Sequence, residues 1–415
     1  MLNLNSTLSR IKNNKFAKIL LENFISLSAL QLFSLILPLI TLPYVLRTIG
    51  FEKYGIIMLA ATLVSYFQSI TDYSFKITAT RDVSLFRESD LKLSIIYSKV
   101  YLVKLIFLFL SIGLISIIIL FTYDFYRYSI IYFLTSLSLI GYSLFPEWFF
   151  QGVEKMRFIT FINIGVKTLF TLCVFVFIRS EEDYWIYPLL QSSGLIIAGI
   201  IAQFFIFKNY KIEFIKINWR KIEFAIKDNF PVFINQFIPT LYNSTSTMLL
   251  GVYFSNEYVG IFTSIRKIIE LFATLISTIS KVFYPFLVRF EKSFNIYKNI
   301  ILSTVIVLVT LIIIFNPLVF IYLSLDYENE LKVLLILAFG LFGYAFYDIY
   351  ALNYFLVRRK DKLVMRNTLF TSLIGFSLAF PLVYYFSIVG AAVNVSLSRL
   401  ILGGGIFIQY KKYNK

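Results

Sequence analysis

Residues 27–55 read LSALQLFSLILPLITLPYVLRTIGFEKYG. The run is apolar for the roughly 20 residues needed to cross a bilayer. It also holds Pro38 and Pro43 and ends on Arg47, Gly50 and the pair Tyr54-Gly55. A soluble helix rarely combines that length and apolarity with two prolines, each of which frees the carbonyl four residues earlier. A transport helix tolerates them, because a span facing a protein-lined cavity keeps its freed carbonyls satisfied by neighbours or water. The prolines are therefore expected to let this span bend at a cavity wall.

Composition points the same way. Hydrophobic residues make up 59% of the 415 and charged residues 15%, with a mean hydropathy of +0.79; soluble domains carry roughly 25% charge. Histidine is absent and Cys173 is the only cysteine, so no disulfide framework forms within one chain and no metal or cofactor is expected. A net charge of +16 would suggest nucleic acid in a soluble protein. In a membrane protein it reads as lysine and arginine that set topology, with no nucleic-acid partner. The basic lead-in, with Arg10, Lys12, Lys15 and Lys18, is not followed by the short apolar core and small-residue cleavage site of a signal peptide.

Twelve apolar spans follow, at about 23–46, 54–76, 95–120, 128–150, 158–178, 184–207, 230–254, 258–284, 299–323, 331–356, 367–387 and 389–410. Charge placement checks them independently. Alternate loops carry Arg81, Arg87 and Lys92; Lys155 and Arg157; Lys208, Lys211, Lys216, Arg220, Lys221 and Lys227; Arg289, Lys292 and Lys298; Arg358 to Arg366; and Lys411, Lys412 and Lys415. The loops between are poor in base: Asp124 and Arg127; Arg179 with Glu181, Glu182 and Asp183; Asp326, Glu328 and Glu330. Positive residues favour the cytoplasm, so both termini are expected there, with the base-poor loops outside.

Internal repetition divides the chain. Glu52-Lys53-Tyr54-Gly55-Ile56 after span 1 is echoed by Glu257-Tyr258-Val259-Gly260-Ile261 after span 7, an offset of about 205 residues. Arg81 is matched by Arg289, and Met156-Arg157 by Met365-Arg366. Matches in one order at near-constant offset indicate two six-span halves in the same orientation, which usually bracket a central cavity. The expected organisation is a basic segment over 1–22, a bundle over 23–207, a basic linker with Trp219 over 208–229, a second bundle over 230–410 and a tail over 411–415. Part of the linker could lie on the inner membrane surface.

Enzyme chemistry finds no support. There is no glycine-rich phosphate loop, nucleophile elbow or metal-binding pair, and the two acidic loops read as solvated. Ionisable residues within spans say more, since each costs about 2.5–3.5 kcal/mol at mid-membrane and tends to face a cavity or a partner. Arg399 and Lys167 lie too deep to reach the interface, whereas Lys76 and Lys99 are expected to reach it. Lys104 is in span 3, Arg47 closes span 1, and Arg266, Lys267 and Glu270 share span 8, where Arg266 and Glu270 are spaced to pair. Asp72 and Asp348 are the remaining acids. The positive excess predicts a cavity that attracts an anion such as a phosphate or diphosphate. Arg47, Lys104, Lys167, Arg266, Lys267 and Arg399 are the substrate-binding candidates; Asp72, Glu270 and Asp348 are the candidates for ion coupling.

The motifs resemble a known family. Gln31, Pro38 to Tyr44, Arg47, Gly50 and Tyr54-Gly55 look like the first span of Wzx-type flippases, transporters of lipid-linked O-antigen oligosaccharides in the multidrug/oligosaccharidyl-lipid/polysaccharide exporter superfamily. Asp72 to Phe75 with Thr78 to Arg81 resembles their second-span ending, and Pro146 to Met156 their block after span 4. Tyr284-Pro285 and Gly390 to Ala392 complete the set. The resemblance implies an all-α membrane protein with a V-shaped pair of six-helix bundles. It also implies an oligosaccharide repeat unit on undecaprenyl diphosphate as substrate, carried from the inner to the outer leaflet of the cytoplasmic membrane. Expected partners are that substrate, membrane lipids, and a polymerase and chain-length regulator of the same pathway. Where relatives often carry a glutamate in span 12 this chain has Arg399, which argues against acid-based coupling there and for a more anionic sugar unit. The competing readings are a cation-coupled drug exporter of the same fold, which should place acids in its cavity, and a polysaccharide polymerase or ligase, which should carry a large external loop.

Overall fold

A computed structural model of the chain describes residues 15–289, 293–325 and 327–413. Arg10, Lys12, Lys292, Asp326 and Lys415 lie outside them. Among the described residues all regular structure is helical. Eight helices are long and apolar enough to cross a membrane. Two of these hold two spans each: Lys15–Asp72 breaks at Gly50 (φ 76°, ψ 166°), and Asp361–Tyr413 breaks at Ser387 (φ 48°, ψ −129°). Trp219–Tyr253 and Asn256–Arg289, of 35 and 34 residues, are long enough but more polar. Together these give twelve spans in two bundles.

The first span bends elsewhere than at its prolines. The helix runs on through Pro38 and Pro43 and turns at Gly50, in a region of φ and ψ that only glycine occupies cheaply. The prolines leave the helix intact because at least one freed carbonyl is satisfied from the side. Leu39 O, which Pro43 cannot bond, accepts from the Tyr322 hydroxyl of the second bundle. Span 2 ends at Asp72, where Tyr73 and Ser74 take positive φ, and the chain resumes as the short helix Phe75–Phe86. Lys76 therefore lies beyond the span.

The block after span 4 packs against that short helix. It forms its own helix, Glu147–Gly152, with Trp148, Phe149 and Phe150 at most 2% exposed. A Cβ on Gly152 would overlap Val83 and the Thr80 carbonyl, so the two helices meet backbone to backbone. Thr80 donates to Trp148 O at 3.2 Å, and the pairs Lys76–Glu147 (2.9 Å) and Arg87–Glu154 (3.0 Å) bracket the contact. The central linker has no regular secondary structure over 211–217. Its N–H groups at Glu213 and Ile215 donate to Ser94 Oγ (3.1 Å) and Ser98 Oγ (2.9 Å), one turn apart on the helix Asp90–Phe121. Asn218 then caps the helix of span 7, which starts at Trp219.

The two bundles touch most closely through the repeated motif. A Cβ on Gly55 would overlap the carbonyl of Asn256, and one on Gly260 would overlap the carbonyl of Phe51. Each glycine thus sits on the backbone four residues before the other, as a two-fold relation between the halves requires. Val45, Ile49, Ile56, Ile57 and Ala60 join Val259, Phe262, Ile265 and Ile269 in one buried core across this contact. Just beyond it Arg47 Nε donates to Ser324 Oγ at 2.9 Å. The molecule is closed on the side of the base-poor loops. A side chain at Gly260 must push the bundles apart, an overpacking that costs roughly 1–3 kcal/mol or more. Cysteines replacing Arg47 and Ser324, in a Cys173→Ser background, should be joined in membranes by a short bifunctional thiol reagent that spans the length of the lost arginine side chain, and adding Gly260→Leu should lower the yield severalfold.

Candidate functional site

A cavity of about 680 Å³ lies between the bundles on the side of the basic loops. Spans 2 and 7 supply a polar stripe to it: Ser65, Gln68, Ser69 and Asp72 from one, Gln236, Thr240, Asn243 and Ser244 from the other. Hydroxyls meet where these spans cross, with Ser65–Ser244 at 3.3 Å, Tyr66–Thr245 at 3.0 Å and Ser69–Thr240 at 3.4 Å. Glu147 and Lys76 stand at its mouth. The walls are dense in hydroxyl and amide groups able to hydrogen-bond a sugar.

Its charges are nearly all spoken for. Lys104, with a side chain only 3% exposed, pairs with Asp72 at 3.0 Å and donates to Tyr142 O at 3.4 Å. Arg266 pairs with Glu270 at 2.8 Å and donates to Asn243 O at 2.6 Å. Lys76 is held by Glu147. That leaves Arg399 as the cavity cation without an ion pair among the described residues, and its Nη1 is buried with no protein partner. Packing puts it there. Gly340 and Gly343 let span 12 press on span 10, since a Cβ on Gly343 would overlap the Arg399 backbone, and Ser396 Oγ donates to Ile336 O at 2.7 Å.

A second cavity, of about 400 Å³, lies deeper, toward the closed side, and Tyr142 borders both. It is more apolar, walled by span 1 at Leu37, Pro38, Thr41, Leu42 and Val45 and by Phe170, Tyr54 and Tyr187. Two cations enter it, Lys167 from the first bundle and Lys267 from the second, and its lining contains no acid. Lys167 Nζ donates to Ser34 Oγ at 2.6 Å. Arg266 and Lys267 are consecutive on one helix, so that helix sends one cation to each cavity.

Two candidates lie apart from both chambers. Arg47 is at the closed side, on Ser324 Oγ and Ile321 O. Asp348 is 1% exposed inside the second bundle, where Tyr297 and Asn353 donate to its Oδ2 while Oδ1 has no protein partner. It opens a π-helical turn, Asp348–Phe355. The residues that sequence reasoning passed over are the neutral ones. The stripe Ser65–Ser69–Asp72 and Gln236–Thr240–Asn243 recurs at helical spacing within apolar spans, and that periodicity is the signal that would have found it.

Residues 20–291 match the family described as polysaccharide biosynthesis protein. This chain belongs to the polysaccharide biosynthesis protein family. Two relatives bear the name "Putative O-antigen transporter": one from Escherichia coli (strain K12), 25% identical over 95% of this chain and 97% of its own, and one from Shigella dysenteriae, 23% identical over 88% and 93%. In fold the chain is similar to the lipid II flippase MurJ in an inward closed conformation (TM-score 0.75, 15% identity, 92% and 87% of the two chains). It is also similar to an inward-facing multidrug resistance MATE transporter of the MOP superfamily (0.63, 11%, 91% and 94%). The family expected from spans 1, 2 and 4 is therefore the right one, and the two-bundle fold is that of transporters. The protein is a multi-pass membrane protein of this family.

In this polysaccharide biosynthesis protein the Asp72–Lys104 pair invites a direct test. Asp72→Asn leaves Lys104 buried without its counter-ion. With Asp72 about one-third exposed, the loss should fall between surface and buried pairs, about 2 kcal/mol. A lower melting temperature in detergent, mostly restored by adding Lys104→Met, is the expected result.

Proposed function

We propose that the protein carries an undecaprenyl-diphosphate-linked oligosaccharide repeat unit from the inner to the outer leaflet of the bacterial cytoplasmic membrane, as part of O-antigen or similar surface-polysaccharide assembly. The observation that carries this reading is the division between the two chambers. The larger has paired charges and a wall of hydroxyl and amide groups, suited to neutral or lightly charged sugars. The smaller is apolar and holds Lys167 and Lys267 without an acid in its lining, suited to a diphosphate whose prenyl tail stays in lipid. Arg399, unpaired where the chambers approach, is the third cation for the anionic end. The names of the relatives support a substrate of the O-antigen class.

Transport proceeds by alternating access. With the basic loops in the cytoplasm, the present form is open inward and closed outward. The chambers accept the substrate from the inner leaflet. The contact at Gly55 and Gly260 then parts, together with the Arg47–Ser324 and Tyr322–Leu39 bonds, and the inner side closes. Two negative charges moving outward across an inside-negative membrane release about 2.3 kcal/mol per charge per 100 mV. The emptied carrier keeps its excess positive charge, which the same potential draws back. Ion coupling would fall to Asp348, since Asp72 and Glu270 are already engaged by cations.

The test has two parts. Deleting the gene should leave an intact lipid-linked repeat unit accumulating on the inner leaflet, read by mass spectrometry; an incomplete glycan would point to an enzyme instead. Complementation with Lys167→Ala/Lys267→Ala or with Arg399→Ala should lower surface polysaccharide by about tenfold or more at equal protein level, the loss of at least one charge-assisted contact. Wild-type polysaccharide with both Arg399→Ala and Lys267→Ala would sink the cationic-cavity reading.

A further inference from the structure

A third cavity, about 970 Å³, lies away from the transport chambers, between the start of span 11 and the end of span 12. Those antiparallel helices meet closely at Asn367, which donates to Leu402 O at 2.9 Å and whose side chain fills the space a Cβ on Gly405 would need. From there toward the basic loops they part, and Lys362, Arg366 and Lys412 line the cleft so formed. Among the described residues the lining contains no carboxylate, and none of the three cations is in a salt bridge. Gln409 brings a side-chain amide to the same lining, and its Oε1 has no hydrogen-bond partner among the described residues. Phe370, in the same lining, is 63% exposed on the outer face of the bundle, where Leu373 and Ile408 continue the apolar surface.

We propose that this cleft binds the headgroup of an anionic phospholipid that carries free hydroxyls, such as phosphatidylglycerol. The three cations and the N-terminus of the helix beginning at Asp361 face the phosphodiester. Arg366 presents a fork that matches its two free oxygens. The headgroup hydroxyls, which reach beyond the phosphate, hydrogen-bond the Gln409 side-chain amide, and the acyl chains run over Phe370 and Leu373. A zwitterionic headgroup is disfavoured because its ammonium would join three cations. The lipid holds spans 11 and 12 together where their own contacts end, and span 12 carries Arg399.

The test is native mass spectrometry of the full-length protein released from micelles holding equal phosphatidylglycerol and phosphatidylethanolamine. Each cation neutralised beside an anionic lipid should cost about fivefold in retention. The wild type should retain phosphatidylglycerol selectively. Lys362→Gln/Arg366→Gln/Lys412→Gln should lose the selectivity, while Lys208→Gln/Lys216→Gln/Lys221→Gln keeps it. In a second set of micelles holding equal phosphatidylglycerol and phosphatidic acid, Gln409→Leu should lower retention of phosphatidylglycerol with little effect on phosphatidic acid. Should the triple variant fail to fold, Arg366→Gln alone must still weaken retention severalfold. Undiminished selectivity in either variant, equal loss in the control triple, or displacement of the lipid by millimolar inorganic phosphate would each overturn the proposal.

Discussion

Everything in the molecule depends on a contact with no side chains in it. At Gly55 and Gly260 two helices from different bundles rest backbone on backbone, each glycine against the carbonyl four residues before the other. The buried core of both bundles runs through this point, and Gly50, bent as only glycine can be, turns span 1 into span 2 just before it. Because the contact closes one face of the molecule, the space that the bundles enclose must open on the other. The chambers, their charges and the direction in which they can load follow from where these two glycines meet.

Inside that space, polar satisfaction decides which charges are structural and which are free. A buried cation is costly unless paired, and Lys104 and Arg266 each have a carboxylate within 3.0 Å, as does the exposed Lys76. These pairs fix spans 2, 3 and 8 and the mouth of the cavity. Arg399, Lys167 and Lys267 have none among the described residues, and two of the three lie in the more apolar chamber. An anion completing that set would supply what the fold leaves open, so binding energy and site assembly are one event.

Much of this was legible in the residues. The span lengths and the alternation of basic loops gave twelve crossings, and the motif near Gly55 and its copy near Gly260 marked two halves, because both are one-dimensional patterns. The sequence could not say that the two copies would touch, since contact depends on a two-fold arrangement in space. Nor could it separate Lys104 from Lys167: both are lysines deep in apolar spans, and only the fold brings Asp72 to one and not the other. Arg47 looked like a cavity residue from its place at a span end, yet it stands on the closed face. Asp348 was a candidate for ion coupling from its place within a span, yet it is buried inside the second bundle, in the lining of neither chamber. The prolines were informative about the transport helix and silent about the bend, because a freed carbonyl can be answered by a neighbouring bundle as well as by a kink.

That answered carbonyl has a consequence for how the protein moves. Leu39 O owes its partner to Tyr322 of the opposite bundle, and Pro43 ensures that its own helix can never reclaim it. When the bundles separate on that face, both groups are stranded unless water reaches them, at a cost of about 1–3 kcal/mol for each polar group left bare. In the proposed transport cycle, water entering the seam as it opens would therefore lower the barrier, and a dry seam would add that cost to the parting of the bundles.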